Sequence, residues 1–115
     1  MSIREVIAEA GISIAVTKGI VDVLSIASGA THGFLHAQGI DLGTFGTVVP
    51  LFFPFIAKPL TGGYAGLING ISDEDNPSSS YPGFVLKGGA TGIGLGTIEY
   101  GAGFCVGYTV GGLSK

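Results

Sequence analysis

Three charged residues interrupt long apolar stretches of this chain, and they are the residues best suited to chemistry. Lys18 and Asp22 lie four residues apart, and Glu99 lies far from both in the sequence. A charged side chain within a bilayer costs about 2.5–3.5 kcal/mol, so such groups face protein or water instead of lipid. Two roles are open. Either Lys18 bridges Asp22 and Glu99 as a structural contact, or the three residues form a path for protons or cations along which Glu99 exchanges its proton with water.

His32 and His36 are also four residues apart, which places both imidazoles on one face of a helix. Two imidazoles at this spacing can share a metal ion, and Asp41 follows as a third candidate ligand. A metal site would need a second ligand cluster or an H-E-x-x-H frame, and the sequence has neither. We therefore predict no metal and no cofactor, and we expect both histidines at the membrane interface, against lipid headgroups or a neighbouring subunit.

The remaining motifs argue against an enzyme and against a nucleic-acid-binding protein. The glycine-rich run 92–96 has no following lysine and lacks the spacing of a phosphate-binding loop. No serine or cysteine has a neighbouring base that would activate it as a nucleophile. The formal net charge is −3 and the five basic residues are scattered, so they form no basic patch for nucleic acid. We predict that the protein is not an enzyme and binds no nucleic acid.

Glycine recurs at every fourth residue in three stretches, and this spacing predicts close contacts between helices. Residues four apart stack on one helix face, so a row of glycines lets a second backbone approach closely. The three rows are Gly62, Gly66 and Gly70, then Gly88, Gly92 and Gly96, then Gly103, Gly107 and Gly111. Glu99 falls on the face formed by the last two rows. The first apolar stretch offers a complementary stripe of small and polar residues, including Gly11, Lys18, Asp22, Ser25 and Gly29. We therefore expect the last helix to pair with the first.

Three apolar stretches must position these residues, and the first and last of them contain no proline. Residues 3–35 and 83–113 are each long enough to cross a hydrocarbon core of about 30 Å as a helix. Apolar residues also alternate along 97–113, a pattern that leaves a β-strand open as an alternative for the last stretch.

The middle stretch, 44–71, contains three prolines and cannot form one straight helix. Proline lacks a backbone donor and clashes with the preceding turn. The prolines are Pro50, Pro54 and Pro59. They predict a bent part around 45–57 and a second helical part from Lys58 onward, because Pro59 suits the first turn of a helix.

The composition favours a membrane protein. Hydrophobic residues make up 46% of the chain and charged residues 11%, and the 22 glycines are embedded in apolar sequence. The charged share is far below the roughly 25% of an average soluble domain. We predict an all-α fold, a small polytopic membrane protein whose residues 1–115 form a single membrane domain. It has about three transmembrane helices, the middle one broken by prolines, packed through glycine zippers. Residues 72–82 form an acidic polar loop.

Three spans would place the N-terminus and the loop after the second span on one side of the membrane. That side collects Arg4, Lys58 and Lys87, and the other side has only Lys115. Because lysine and arginine favour the cytoplasmic side, we expect a cytoplasmic N-terminus.

These sequence features indicate how the protein assembles more clearly than what reaction it could catalyse. We expect a structural or accessory integral membrane protein that contacts the lipid bilayer. It would assemble through glycine-zipper helix packing, as a homo-oligomer or as a subunit of a larger membrane complex. One alternative is an oligomeric pore or proton- or cation-conducting subunit that uses Lys18, Asp22 and Glu99. A further alternative is a lattice-forming envelope or shell protein, which the short polar loops permit.

Overall fold

The computed structural model describes residues 2–114, which form helices joined by short loops. The elements are α1 (Ile3–Ala37), α2 (Gly43–Val48), a 3₁₀ turn (Val49–Leu51), a π-helical turn (Phe53–Ala57), α3 (Lys58–Ser72), a second 3₁₀ turn (Ser78–Ser80) and α4 (Tyr81–Leu113). The predicted all-α class is confirmed. The strand alternative for 97–113 is wrong, because these residues continue α4. A helix satisfies its backbone groups internally, which a lone strand in an apolar environment cannot do.

Helix α1 begins at a complete capping box. The backbone amide of Glu5 donates to the Ser2 hydroxyl at 3.2 Å, and the amide of Ser2 donates to the Glu5 carboxylate at 3.4 Å. These two bonds satisfy donors that the first helical turn leaves free. The helix ends at Ala37, and Gly39 then adopts a φ of 75°, a left-handed conformation that glycine takes without a steric cost. The capping box and the left-handed Gly39 mark where the first long helix starts and stops.

The middle stretch is one irregular helix. Around Pro50 the α-helix tightens into a 3₁₀ turn, and from Phe53 it widens into a π-helical turn that contains Pro54. Both departures arise where proline removes a hydrogen-bond donor. α3 then begins at Lys58 with Pro59 in its first turn, where the missing donor costs nothing. The predicted boundary at Lys58 coincides with the change from the π-helical turn to α3, but the predicted break is absent, because the chain stays helical there and Lys58 lies inside a helix.

Two helices are long and apolar enough to cross a membrane by length and composition, Ile3–Ala37 and Gly43–Ser72. α4 has 33 residues and sufficient length, but it is not among the segments that meet the same test of hydropathy. Its sequence contains eleven glycines, which add little hydropathy. The third span therefore stays a prediction.

α4 lies at the centre of an elongated bundle that measures 57 × 24 × 21 Å. Its first half packs against α3 in the opposite direction, since Gly88 lies against Gly62 and Phe84 against Gly66. Its second half packs against the second half of α1 in the same direction. There Gly29 lies against the backbone of Tyr100. The polar loop after α3 and the start of α1 therefore share one end of the bundle, which we call the loop end.

Small residues fill the interior of the bundle, and large apolar side chains lie on its exterior. Val21 is the only buried branched aliphatic residue between residues 2 and 114, whereas many large hydrophobic side chains are exposed. Glycines occupy the contacts between helices. A water-soluble domain buries its large apolar residues, so this reversal is typical of helices whose outer faces contact lipid.

Candidate functional site: a buried lysine between two carboxylates

Lys58 is the central residue of the site. Its side chain is 3% exposed, and its ammonium donates a hydrogen bond to Asp22 Oδ1. The same nitrogen lies 3.1 Å from Glu99 Oε1. Asp22 belongs to α1, Lys58 to α3 and Glu99 to α4, so one ammonium group joins all three long helices. We call these three residues the Lys58 cluster.

The Lys58 cluster lies near the middle of the bundle. Asp22 is close to the midpoint of α1, Glu99 is close to the midpoint of α4, and Lys58 is close to the midpoint of the irregular helix Gly43–Ser72. Each is therefore about 21–28 Å from the ends of its helix at a rise of 1.5 Å per residue. In a membrane-spanning orientation the cluster would occupy the centre of the bilayer.

The formal charges of the Lys58 cluster do not cancel. One ammonium faces two carboxylates, which gives a formal charge of −1 when all three are ionised. Glu99 is 17% exposed, and its Oε1 has an ionic partner in Lys58 but accepts no hydrogen bond from the described part of the chain. Asp22 is less buried, with 40% of its side chain exposed. Since a buried charge is tolerated only when it is paired, Lys58 is the group that permits both carboxylates to lie here.

The predicted bridging role of Lys18 is wrong, because Lys58 fills it. Lys18 forms no ion pair among residues 2–114 and lines a cleft instead. Helical side chains lean toward the N-terminus of their own helix. Lys18 therefore leans away from Glu99, whereas Lys58 lies on an antiparallel helix and leans toward it. The sequence did contain a signal for Lys58, its place in the middle of an apolar stretch.

A cleft runs between the Lys58 cluster and the loop end. It has a volume of about 350 Å³, and its lining includes Lys18, Lys58 and Lys87, one from each long helix. Its walls are made of small residues of α3 and α4 and of the polar side chains of Asn69 and Thr91. Three of the five basic residues in the chain thus converge on one cavity. We call it the lysine cleft.

A second cavity lies on the opposite side of the Lys58 cluster. It has a volume of about 310 Å³ and is lined by His32, His36, Asp41 and Thr47, among others. His32 Nδ1 forms a hydrogen bond with the hydroxyl of Tyr100, the residue after Glu99. We call this cavity the histidine pocket.

Both histidines pack on aromatic rings of α4. The ring centroids of His32 and Phe104 are 5.4 Å apart, and those of His36 and Tyr108 are 6.0 Å apart. Within residues 2–114 no three His, Cys, Asp or Glu side chains are grouped so that they could hold a metal ion. The hydrogen bond to Tyr100 and the ring contacts account for the placement of both imidazoles.

The structure places the first two glycine rows against each other. Gly62 and Gly88 each lie against the other's carbonyl group, and Gly66 lies against the carbonyl of Phe84. Gly70 faces the Phe84 ring, Gly92 faces Lys58 and Pro59, and Gly96 faces Pro54. A methyl group on Gly92 would lie 2.9 Å from the Cα of Pro59. These glycines bring α3 and the π-helical turn into backbone contact with α4.

The third row lies against α1. Gly103 faces the carbonyl of Ile26, Gly107 faces Ala30, and Gly111 faces Phe34. Gly29 of α1 also makes such a contact. Gly33, which the sequence stripe did not include, does so with Phe104.

Gly11 differs from its prediction, since no atom of another segment lies within 4 Å of the position its Cβ would take. α4 therefore pairs with α1 over its second half only.

The fold and site together define an all-helical chain with two helices able to cross a membrane and a buried ionic cluster joining its three long helices. The chain matches no family model, and no curated protein or solved structure is similar to it.

Proposed function

We propose that the chain is an integral membrane protein of three spans, with α4 as the third. The reversed distribution of large and small residues supports this placement, because the apolar side chains face outward on all three long helices. The acidic residues support it as well, since the two deepest, Asp22 and Glu99, pair with Lys58 and the others lie near the ends of helices or in loops. Because Lys58 is buried in the bundle, it no longer counts among the basic residues that predict which side of the membrane the loop end faces. Arg4 and Lys87 still favour a cytoplasmic loop end.

The function that this geometry supports best is that of a structural or accessory subunit of a membrane assembly. The single observation that carries it is the Lys58 cluster, which joins three helices through one ammonium group. The glycine rows are used within the protomer, so assembly with another chain would use other surfaces. Gly94 and Gly101 of α4 and Gly11 and Gly19 of α1 lie on such surfaces, with open space beside them.

A conducting subunit is the second candidate, and a specific arrangement favours it. Between the lysine cleft and the histidine pocket, the inner face of α1 carries Asp22, Ser25 and His32. The Ser25 side chain is fully buried, and its hydroxyl has no hydrogen-bond partner in residues 2–114. A line of polar groups between two cavities is the arrangement that proton relays in membranes use. Glu99 would then exchange a proton with water that enters the lysine cleft.

One reconstitution separates the two functions. The protein in lipid nanodiscs is expected to have a mass above the 11.5 kDa of one chain, and liposomes that contain it are expected to stay impermeable to protons. A protomer mass would contradict assembly through protein contacts. A proton flux that is present in wild type and lost in Glu99→Gln, with equal incorporation of both proteins, would replace the structural function by the conducting one.

A further inference from the structure

The lysine cleft contains two cations that no carboxylate of the described chain neutralises. Lys18 and Lys87 make no ion pair among residues 2–114, whereas Lys58 already faces Asp22 and Glu99. The lining of the cleft includes no acidic residue. Together with Asp22 and Glu99 beside it, the three lysines of the cleft give a formal charge of +1, which an anion from outside the chain would balance.

The two lysines reach toward the same end of the bundle. α1 and α4 run in the same direction where they meet, and helical side chains lean toward the N-terminus. Both ammonium groups thus lean toward the loop end. Lys87 precedes Glu99 by twelve residues, about 18 Å along the helix axis. With the Lys58 cluster at the bilayer centre, Lys87 lies just beyond the hydrocarbon core, at the depth of lipid phosphates.

The walls of the cleft suit a narrow, elongated ligand. Gly62, Gly66, Gly88 and Gly92 leave the floor without side chains, and Leu95 and Phe84 add apolar surface. Asn69 and Thr91 supply polar atoms among these walls. The cavity thus combines one unpaired cation near the interface, Lys87, and a deeper one, Lys18, with apolar walls.

We propose that the lysine cleft binds the phosphate group of an anionic phospholipid, held between Lys18 and Lys87, with an acyl chain along the glycine floor. The proposal rests on the membrane placement proposed above and assigns to it a specific lipid partner. It also explains why Lys18, a charged residue within a spanning helix, has no partner in its own chain.

The test measures lipid retained by the protein in nanodiscs of phosphatidylcholine with a minority of phosphatidylglycerol. Wild type is expected to enrich phosphatidylglycerol about fivefold for each lysine, the effect of one basic residue at a membrane surface. The double variant Lys18→Gln/Lys87→Gln is expected to lose this enrichment, and Lys18→Arg/Lys87→Arg to keep it. Arg4→Gln is the matched control, because Arg4 lies at the same end but pairs with Glu74 at 2.8 Å outside the cleft.

Every other outcome would overturn the proposal, and these outcomes can be distinguished from one another. Equal lipid ratios for wild type and the glutamine double variant would exclude the site, as would an equal loss in Arg4→Gln. Thermal stabilisation by inorganic phosphate in detergent, present in wild type and absent in the double variant, would assign the cleft to a soluble phosphate compound. Protein that fails to enter nanodiscs would contradict the proposed membrane function, whereas protein that enters them without a lipid preference would contradict the lipid site alone.

Discussion

Replacing Lys58 by methionine is expected to lower the free energy of unfolding by about 3 kcal/mol. Methionine keeps the length of the side chain but leaves Asp22 and Glu99 without a counter-charge in the middle of the bundle. Breaking a buried ion pair from one side costs about 3–5 kcal/mol, and the lower figure applies because Asp22 is 40% exposed. Reversible unfolding in mixed detergent micelles, followed by circular dichroism, measures the change.

Lys18→Met is the matched control for this variant. Lys18 makes no ion pair among the described residues, so in micelles without anionic lipid its replacement leaves no carboxylate unpaired and is expected to lower the unfolding free energy by no more than about 0.5 kcal/mol. A triple variant, Asp22→Asn with Lys58→Met and Glu99→Gln, is expected to recover most of the lost stability, because no unpaired charge remains. A larger loss in Lys18→Met than in Lys58→Met would show that the cluster is wrongly assigned.

Replacing Gly107 by alanine is expected to destabilise the protein by about 2 kcal/mol, the usual cost of inserting atoms into a packed contact. A methyl group at this position would lie 2.8 Å from the Cα of Ala30 and closer still to the Ala30 carbonyl. Backbone atoms cannot rotate away as a side chain can, so α1 and α4 must separate. The same unfolding measurement in micelles reports the effect.

Gly101 provides the comparison on the same helix, because no neighbouring segment lies within 4 Å of its Cβ position. Gly101→Ala is expected to be neutral or stabilising by up to about 1 kcal/mol, since alanine favours the helical state. If Gly101→Ala and Gly107→Ala changed stability equally, the second half of α4 would not be packed against α1 as described.

The sequence allowed the elements to be predicted because their signals are local. The absence of proline sets the length of α1 and α4, Pro59 marks the first turn of α3, and the run of acidic and polar residues around Asp73 marks the loop. Helical periodicity also placed Glu99 on the same face as the neighbouring glycines. These inferences need only the geometry of a single helix.

The contacts of the site depend on how helices are directed and offset, which no local pattern specifies. Lys18 and Lys58 both lie near the bundle centre. Which of them pairs with the carboxylates depends on the opposite directions of α1 and α3. Gly11 continues the α1 stripe by spacing, yet no atom of another segment lies within 4 Å of its Cβ position. Lys58 was also obscured by its position beside Pro59, which resembles the start of a segment at the membrane surface.

The placement of α4 in the bilayer is the central claim, because α4 is not among the helices that are apolar enough by composition to count as candidate membrane spans. Cys105 is the single cysteine of the chain, is exposed on α4 and follows Glu99 by six residues, about 9 Å along the axis. It therefore accepts a nitroxide label without any substitution. Ser79→Cys in a Cys105→Ser background provides the control in the polar loop.

Power-saturation EPR of the labelled protein in liposomes tests this placement most directly. The label at Cys105 is expected to be accessible to oxygen, which concentrates in the hydrocarbon core, and inaccessible to a water-soluble nickel chelate. The label at residue 79 is expected to show the reverse. Equal access of the nickel chelate to both positions would contradict a membrane-spanning α4, and with it the location of the Lys58 cluster at the bilayer centre.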